Sequence, residues 1–185
     1  MFMMFALNVG TLAAQAPSYP KQIRGYKVQR AVVEVKKSPR DSPVDPRFPE
    51  DDLIRFGEPR LIKATPLGLS LEIPILVSPV IQRGVVDFLV FEDMKVNGTS
   101  IDIDEYQHKF DLPDKKPVTL KHPLKIYITL PSAVVAALGE WTDSKETWPV
   151  SGRVFVFGRF KKAFLNFKRC VPVELNLSMR NPLRQ

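Results

Sequence analysis

The chain has one cysteine and two histidines among its 185 residues, and each scarcity excludes a class of site. A single cysteine, Cys170, excludes an internal disulfide and any metal or cluster site built from several thiolates. His108 and His122 have no flanking cysteine, so they give little basis for a zinc site. The sequence also lacks a phosphate-binding loop, a dinucleotide-binding glycine pattern and a Gly-x-Ser-x-Gly nucleophile motif. It therefore predicts a protein that is not an enzyme and that has no cofactor, no metal and no small-molecule substrate.

Cys170 itself allows two interpretations. The cation of the preceding Arg169 can lower the pKa of a neighbouring thiol and make it reactive. A cysteine at the start of an apolar segment more commonly serves as a small buried residue. The apolar residues that follow favour the buried interpretation.

A group of acidic residues also allows two interpretations. Asp102, Asp104 and Glu105, together with Asp93 or His108, offer ligands for a hard cation. However, isoleucines alternate with the two neighbouring aspartates, as they do on a strand with one solvated face. The alternation favours a solvated strand over a metal site.

Glycine is scarce, with nine residues, whereas proline is abundant, with 17. Proline interrupts helices and inner strands, so this abundance excludes a bundle of long helices. Hydrophobic residues make up 44% of the chain and charged residues 25%, which is typical of a globular protein rather than a disordered one. The length suits one domain with tails.

The N-terminal residues 1–16 form an uncharged apolar leader. It ends in Ala14-Gln15-Ala16, the small-x-small pattern that signal peptidase recognises. Three interpretations stay open: a cleaved signal peptide, an uncleaved membrane-associated segment, and a buried N-terminal segment. Both membrane interpretations predict an exported protein, periplasmic or extracellular.

Residues 17–54 are predicted to be a proline-rich extended strap with a possible edge strand at Gly25–Val35. Residues 55–177 are predicted to form the folded domain, and residues 178–185 a basic tail. Apolar residues recur with period two through the domain, with Leu67, Leu69, Leu71, Ile73 and Ile75 on one face. Turns are expected at Gly84, at Asn97-Gly98 and at Gly158.

These patterns predict an all-β fold. We expect an antiparallel β-sandwich of the immunoglobulin or fibronectin-III type, with seven to eight strands. One short helix is expected at Pro131–Trp141, where proline opens an alanine-rich segment and Gly139 lies near its end.

The order of these segments resembles that of a known family. A strand ending LEIPILV, a hairpin VDFLVFEDMKVNG, a strand PLKIYITLP, a short helix and a strand VSGRVFV follow one another as in the late embryogenesis abundant type-2 family, whose module is the water stress and hypersensitive response domain. The resemblance covers roughly residues 55–177. The family usually has Asn-Pro after its first long strand, and this chain has Ser78-Pro79, so another immunoglobulin-like sandwich stays open. The resemblance implies a stress-protective or accessory role and no catalytic residues.

The positive charge is concentrated near the C-terminus. Residues 150–185 carry eight lysines and arginines and one acidic residue, Glu174, whereas residues 1–149 have 19 of each sign. Interleaved with phenylalanines, five of these cations are predicted to form one exposed patch that binds an anionic surface: Arg159, Lys161, Lys162, Lys168 and Arg169. A solvated face is the alternative. Nucleic acid can be bound by such a pattern, but it is an unexpected partner for an exported protein.

Two functions follow from these observations. The first is an accessory binding subunit that docks on a larger membrane-associated complex at the outer face of a membrane. The second is a chaperone-like protein that protects against stress. The near-neutral mean hydropathy of −0.09 argues against protection through disorder, so a protective role would belong to a folded domain. The proline-rich strap and the tail at Met179–Gln185 are typical of arms that become ordered against a partner, and for this reason we favour the accessory role.

Overall fold

The computed structural model describes residues 19–29, 53–129, 146–162 and 165–181. In these residues the backbone forms strands and turns and no helix, so the predicted all-β class is confirmed. The strand segments of the described residues are β1 (Gln22–Ile23), β2 (Tyr26–Val28), β3 (Ile54–Phe56), β4 (Arg60–Thr65), β5 (Gly68–Ile73), β6 (Ile75–Val77), β7 (Arg83–Val96), β8 (Thr99–Ser100), β9 (Asp102–Ile103), β10 (Phe110–Asp111), β11 (Val118–Thr119), β12 (Leu124–Thr129), β13 (Thr147–Lys162) and β14 (Leu165–Arg180). They outnumber the seven to eight expected because several are only two or three residues long.

The largest sheet has the strand order β1-β2-β14-β13-β7-β10, with β8 also paired to β7. Its centre is three long strands, β7, β13 and β14, all antiparallel to their neighbours in that group. The pairing of β2 with β14 is parallel and involves two residues of each strand. This sheet supplies one layer of a sandwich-like fold.

The opposite layer consists of two smaller sheets, β4-β5-β12-β9 and β11-β6-β3. The apolar run that was predicted as one strand divides between them, because β5 ends at Ile73 and β6 begins at Ile75. Pro74 lies between the two segments and has no backbone N–H to donate to a ladder.

The main core lies between the two layers. It contains Leu71 and Ile73 from β5, Ile126 from β12, and Val154 and Val156 from β13. β5 and β12 alternate buried with more exposed positions, as the period-two pattern predicted, whereas residues 154–158 of β13 are all buried. Burial of this apolar surface is the main stabilising contribution to the fold.

A second, smaller cluster lies on the outer face of the large sheet. Phe155 and Phe157 of β13 and Cys170 of β14 are buried there. The hairpin formed by β1 and β2 covers them, with Tyr19 and Tyr26 packed against the cluster. We call residues 19–29 the N-terminal hairpin. The large sheet is therefore apolar on both faces.

A β-bulge in β7 gives Asp87 its position. Phe157 of β13 pairs with Phe88, and the next residue, Gly158, pairs with Val86, so Asp87 is the extra residue on β7. Its carboxylate receives a hydrogen bond from the Tyr26 hydroxyl at 3.1 Å and lies 3.0 Å from Nη2 of Arg159. The bulge thus supplies one of the polar contacts that fix the N-terminal hairpin.

Three sequence predictions of local structure were wrong. Leu67 was expected on the buried face, but it is 73% exposed because it lies in the turn between β4 and β5. Gly84 and Gly158 were expected in turns, but both lie within long strands. A Cβ on Gly84 would meet the Arg159 carbonyl oxygen at 2.4 Å, and one on Gly158 would meet that of Val85 at 2.6 Å. Glycine is present at both positions because the β7 and β13 backbones approach closely there.

The hairpin turn at Asn97-Gly98 is confirmed. Asn97 has φ of 49° and Gly98 has φ of 80°, as a two-residue turn of this type requires, and Val96 pairs with Thr99.

Several predictions concern residues that lie outside the described part of the chain. These are the apolar leader at 1–16, most of the strap at 17–54, the helix at Pro131–Trp141 and the end of the tail at 178–185. Among residues 19–29, 53–129, 146–162 and 165–181, no helix has the length and hydrophobicity needed to cross a membrane.

Candidate functional site

A cavity of about 510 Å³ lies near the end of the long β13–β14 hairpin. Its described lining comes from six separate segments of the chain: Gln29, Leu53, Gln82, Leu112, Val156, Phe160, Lys161, Phe167, Arg169 and Val171. The volume is within the range of about 300–1,000 Å³ that is usual for small-molecule sites. Most of the lining is apolar, and the cations and amides are few.

Strand register explains the apolar lining. Phe160 pairs with Phe167, and Val156 pairs with Val171, so each pair of side chains projects from the same face of the sheet. That face is the inner one, since Val156 and Val171 belong to the main core. The cavity is therefore an extension of the apolar interior.

Arg169 lies on the same face of β14 as Phe167 and Val171 because strand residues alternate. Its Nε donates a hydrogen bond to Oε1 of Gln29 at 3.0 Å, and its Nη1 donates to the Lys168 carbonyl oxygen at 2.9 Å. The guanidinium lies 5.0 Å from the centre of the Phe167 ring. These contacts fix the side chain at the cavity wall. Within the described ranges no carboxylate pairs with it.

Gln82 adds one polar atom that lacks a partner. Its Oε1 is buried and has no hydrogen-bond partner among the described residues. Buried amide oxygens are nearly always hydrogen-bonded in folded proteins. Because this atom has almost no accessible surface, it is not exposed to the cavity that Gln82 lines.

A shallow polar groove of about 450 Å³ adjoins the cavity and shares Phe167 and Arg169 with it. Its other described lining residues are Lys21, Gln22, Gly25, Lys27, Asn166 and Lys168. Lys27 of β2 and Arg169 of β14 are direct neighbours in the parallel pairing of those strands. We call Lys21, Lys27, Lys161, Lys168 and Arg169 the basic surface. Among the ion pairs of the described residues, none involves these five cations.

Of the five cations that the sequence grouped together, three lie on the basic surface: Lys161, Lys168 and Arg169. Arg159 is paired with Asp87, so its charge is neutralised locally. Lys161 and Lys168 are exposed, and Lys168 Nζ lies 5.7 Å from the Tyr26 ring. Arg169 is partly buried on the opposite face of β14 from Lys168, and the side chain of Lys162 lies outside the described part. Binding of an anionic surface by these five residues stays a prediction.

Cys170 is fully buried beneath the N-terminal hairpin, at 0% exposure. Desolvation raises the pKa of its thiol to about 11, and the negative charge of Glu92 acts in the same direction. The buried interpretation of this cysteine is therefore confirmed, and a reactive thiolate is contradicted.

The acidic group and the histidines lie elsewhere. Asp102 and Asp104 are exposed while Ile101 is buried, as the solvated-strand interpretation predicted. Within the described ranges, no three residues of the metal-binding types form a group that can hold an ion. His108 and His122 stack on each other with ring centres 3.8 Å apart. Neither histidine lines the cavity.

Sequence reasoning identified the cations near the cavity but not the cavity itself. Gln29, Leu53, Gln82 and Leu112 are distant from β13 and β14 in the sequence, and no motif marks them. One weak signal was available: the hairpin end carries Phe160 and Phe167 in positions that pair, next to cations. Only the packing of the two layers brings the remaining walls together.

Comparison with known proteins gives no family for this chain. No protein-family model matches it, and no curated protein matches it. One solved structure is similar at low level, a crystal structure of a protein from Archaeoglobus fulgidus. The two chains are 10% identical, the match covers 69% of this chain and 99% of the other, and the TM-score is 0.29. A similarity at this level carries no functional argument.

Proposed function

We propose that this protein is a non-catalytic, exported binding protein, an accessory subunit held at the outer face of a membrane by its basic surface. One observation carries the proposal. Lys21 and Lys27 of the N-terminal hairpin line the same groove as Lys168 and Arg169 of β14, and among the ion pairs of the described residues none involves these four cations. Such an uncompensated group attracts an anionic surface.

Each lysine or arginine near an anionic membrane contributes about 1 kcal/mol to binding. The five cations of the basic surface are thus sufficient for stable attachment when several face the lipid together. Attachment of this kind weakens with salt, because charges are screened over about 8–10 Å at ordinary ionic strength. The apolar leader at residues 1–16 supports export and a second membrane contact.

Co-sedimentation with lipid vesicles tests the proposal. The wild-type protein should bind vesicles that contain 30% anionic lipid at low salt, leave them at high salt, and not bind neutral vesicles. The double variant Lys27→Glu/Lys168→Glu should bind at least about 30-fold more weakly, since two favourable contributions are lost and replaced by repulsion.

A matched control variant makes the same change in net charge, but on the layer opposite the large sheet. Lys63 and Lys125 are exposed residues of β4 and β12 and do not line the groove. The variant Lys63→Glu/Lys125→Glu should keep most of the vesicle binding. Equal loss in both variants would show that net charge alone, and not the basic surface, governs attachment.

A separate experiment tests the accessory role. After mild detergent extraction of native membranes, size-exclusion chromatography should give the protein in a stoichiometric complex. Recovery as a free monomer would contradict the accessory role.

A further inference from the structure

We infer that the cavity beside Arg169 binds one molecule of a single-chain anionic amphiphile, a hydrocarbon tail that ends in a carboxylate or phosphate group. This goes beyond the proposed function, because it concerns one ligand inside the fold and not a membrane surface. The cavity binds this ligand without changing it chemically.

The cavity matches both halves of such a molecule. The apolar wall, which includes Val156, Phe160 and Leu112, suits a hydrocarbon tail. The lining also includes the cations of Lys161 and Arg169, and within the described ranges neither is paired with a carboxylate. A neutral apolar ligand would leave these charges unused, and a small anion without a tail would leave the cavity unfilled.

Arg169 is the residue that selects for the anionic end. Gln29 and the Lys168 carbonyl oxygen fix the guanidinium through Nε and Nη1, and the Phe167 ring supports it from one side. A guanidinium held in this way presents its remaining N–H groups in a fixed direction, which suits a carboxylate or a phosphate. Preorganisation of this kind lowers the entropic cost of binding.

Calorimetric titration of the full chain with dodecanoate, below its micelle concentration, tests the inference. We expect saturable binding with one molecule per chain. Decanoate and octanoate should bind more weakly, by up to about fourfold for each methylene removed, because a buried methylene contributes about 0.8 kcal/mol. Dodecanol has the same tail without the charge and should bind at least about tenfold more weakly than dodecanoate.

Two variants of Arg169 distinguish the contribution of its charge to ligand affinity from the contribution of its packing. Arg169→Gln should lower the affinity for dodecanoate at least about tenfold and leave that for dodecanol unchanged. Arg169→Lys should recover part of the loss because it restores the charge without the planar donor array. Lys125→Gln, an exposed cation away from the cavity, serves as the control for loss of one charge.

Filling the cavity gives an independent test. Leu112→Trp and, separately, Leu53→Trp should abolish the binding of dodecanoate, whereas Leu67→Trp, at an exposed turn, should not. Thermal unfolding identifies any variant that fails to fold, and the dodecanoate binding of the other cavity variant then provides the test.

The inference is overturned if wild type shows no saturable binding, if dodecanoate and dodecanol bind equally, or if a folded cavity variant binds as wild type does. Vesicle binding of the Lys27→Glu/Lys168→Glu variant is measured separately, so failure of one proposal leaves the other intact.

Discussion

Tyr26 donates its hydroxyl hydrogen to Oδ2 of Asp87 at 3.1 Å, and this bond joins the N-terminal hairpin to β7. The same carboxylate pairs with Arg159 at 3.0 Å and lies 3.7 Å from Nζ of Lys109, and its side chain is only 10% exposed. The Tyr26 ring meanwhile contacts Phe157 edge-to-face at 5.3 Å between ring centres. One tyrosine therefore makes both a polar and an apolar contact that help to hold the hairpin in place.

Tyr26→Phe is predicted to destabilise the protein by about 1 kcal/mol, since it removes one hydrogen bond to a charged, mostly buried acceptor and keeps the ring. Urea unfolding at neutral pH measures the change. Tyr127→Phe removes a hydroxyl from a residue that is 46% exposed and should have little effect. An equal effect of the two substitutions would contradict a specific role for the bond to Asp87.

The Cys170 thiol is predicted to make stability fall at alkaline pH. Its pKa is raised from 9.0 to about 11, so the folded protein keeps the thiol proton where the unfolded chain loses it. The stabilising contribution is complete below pH 9 and is lost as the pH rises towards about 11, with a slope of roughly 1.4 kcal/mol per pH unit. Unfolding free energies of wild type and Cys170→Ala between pH 8 and pH 11 should converge as the pH rises. Both proteins contain the same tyrosines, so any effect of the tyrosines drops out of the difference between the two unfolding free energies. A difference in unfolding free energy between the two proteins that stays constant with pH would contradict the prediction.

Two glycines with positive φ are predicted to respond differently to alanine. Gly98 has open space around it, so Gly98→Ala should cost about 1–2 kcal/mol, the conformational penalty alone. At Gly152, φ is 150° and an added Cβ would lie 2.9 Å from the Met94 Cα. Gly152→Ala should therefore cost more, roughly 3 kcal/mol, because backbone must move as well. Thermal or urea unfolding of the two variants measures the two losses of stability. A larger loss for Gly98→Ala than for Gly152→Ala would contradict the prediction.

Two leucines of one apolar run are predicted to differ strongly. Leu71 is 1% exposed in the main core, and Leu71→Ala should destabilise the protein by about 2–5 kcal/mol. Leu67→Ala should change the unfolding free energy by less than about 0.5 kcal/mol, because Leu67 is largely in solvent. Urea unfolding of both variants provides the measurement. Similar losses at the two positions would contradict the assignment of Leu67 to a turn.

The sequence predicted what depends on neighbours along the chain. Period-two alternation identified Leu69, Leu71 and Ile73 as buried, and Asn97-Gly98 was recognised as a turn because few residue pairs adopt its φ values. Gly84 and Gly158 were placed wrongly because a glycine within a strand and a glycine in a turn look the same in sequence.

The candidate site was harder to predict, for a physical reason. The cavity exists because Leu53, Gln82 and Leu112 meet the β13–β14 hairpin, and such distant approaches have no local signature. The covering of Phe155 and Phe157 by the N-terminal hairpin was missed for the same reason. Alternation shows that a strand has an apolar face, but it does not show that both faces of the sheet are covered.

The position of the N-terminal hairpin has a consequence for the order of events on the ribosome. Tyr26 leaves the exit tunnel early, but its contact with Phe157 and the pairing of β2 with Arg169 and Cys170 require residues made more than a hundred positions later. The β13–β14 hairpin, by contrast, closes between Lys162 and Leu165 and needs only local contacts. During synthesis the N-terminal hairpin therefore has no partner strand at first. It can cover the outer apolar surface of Phe155 and Phe157 only after nearly the whole chain has emerged.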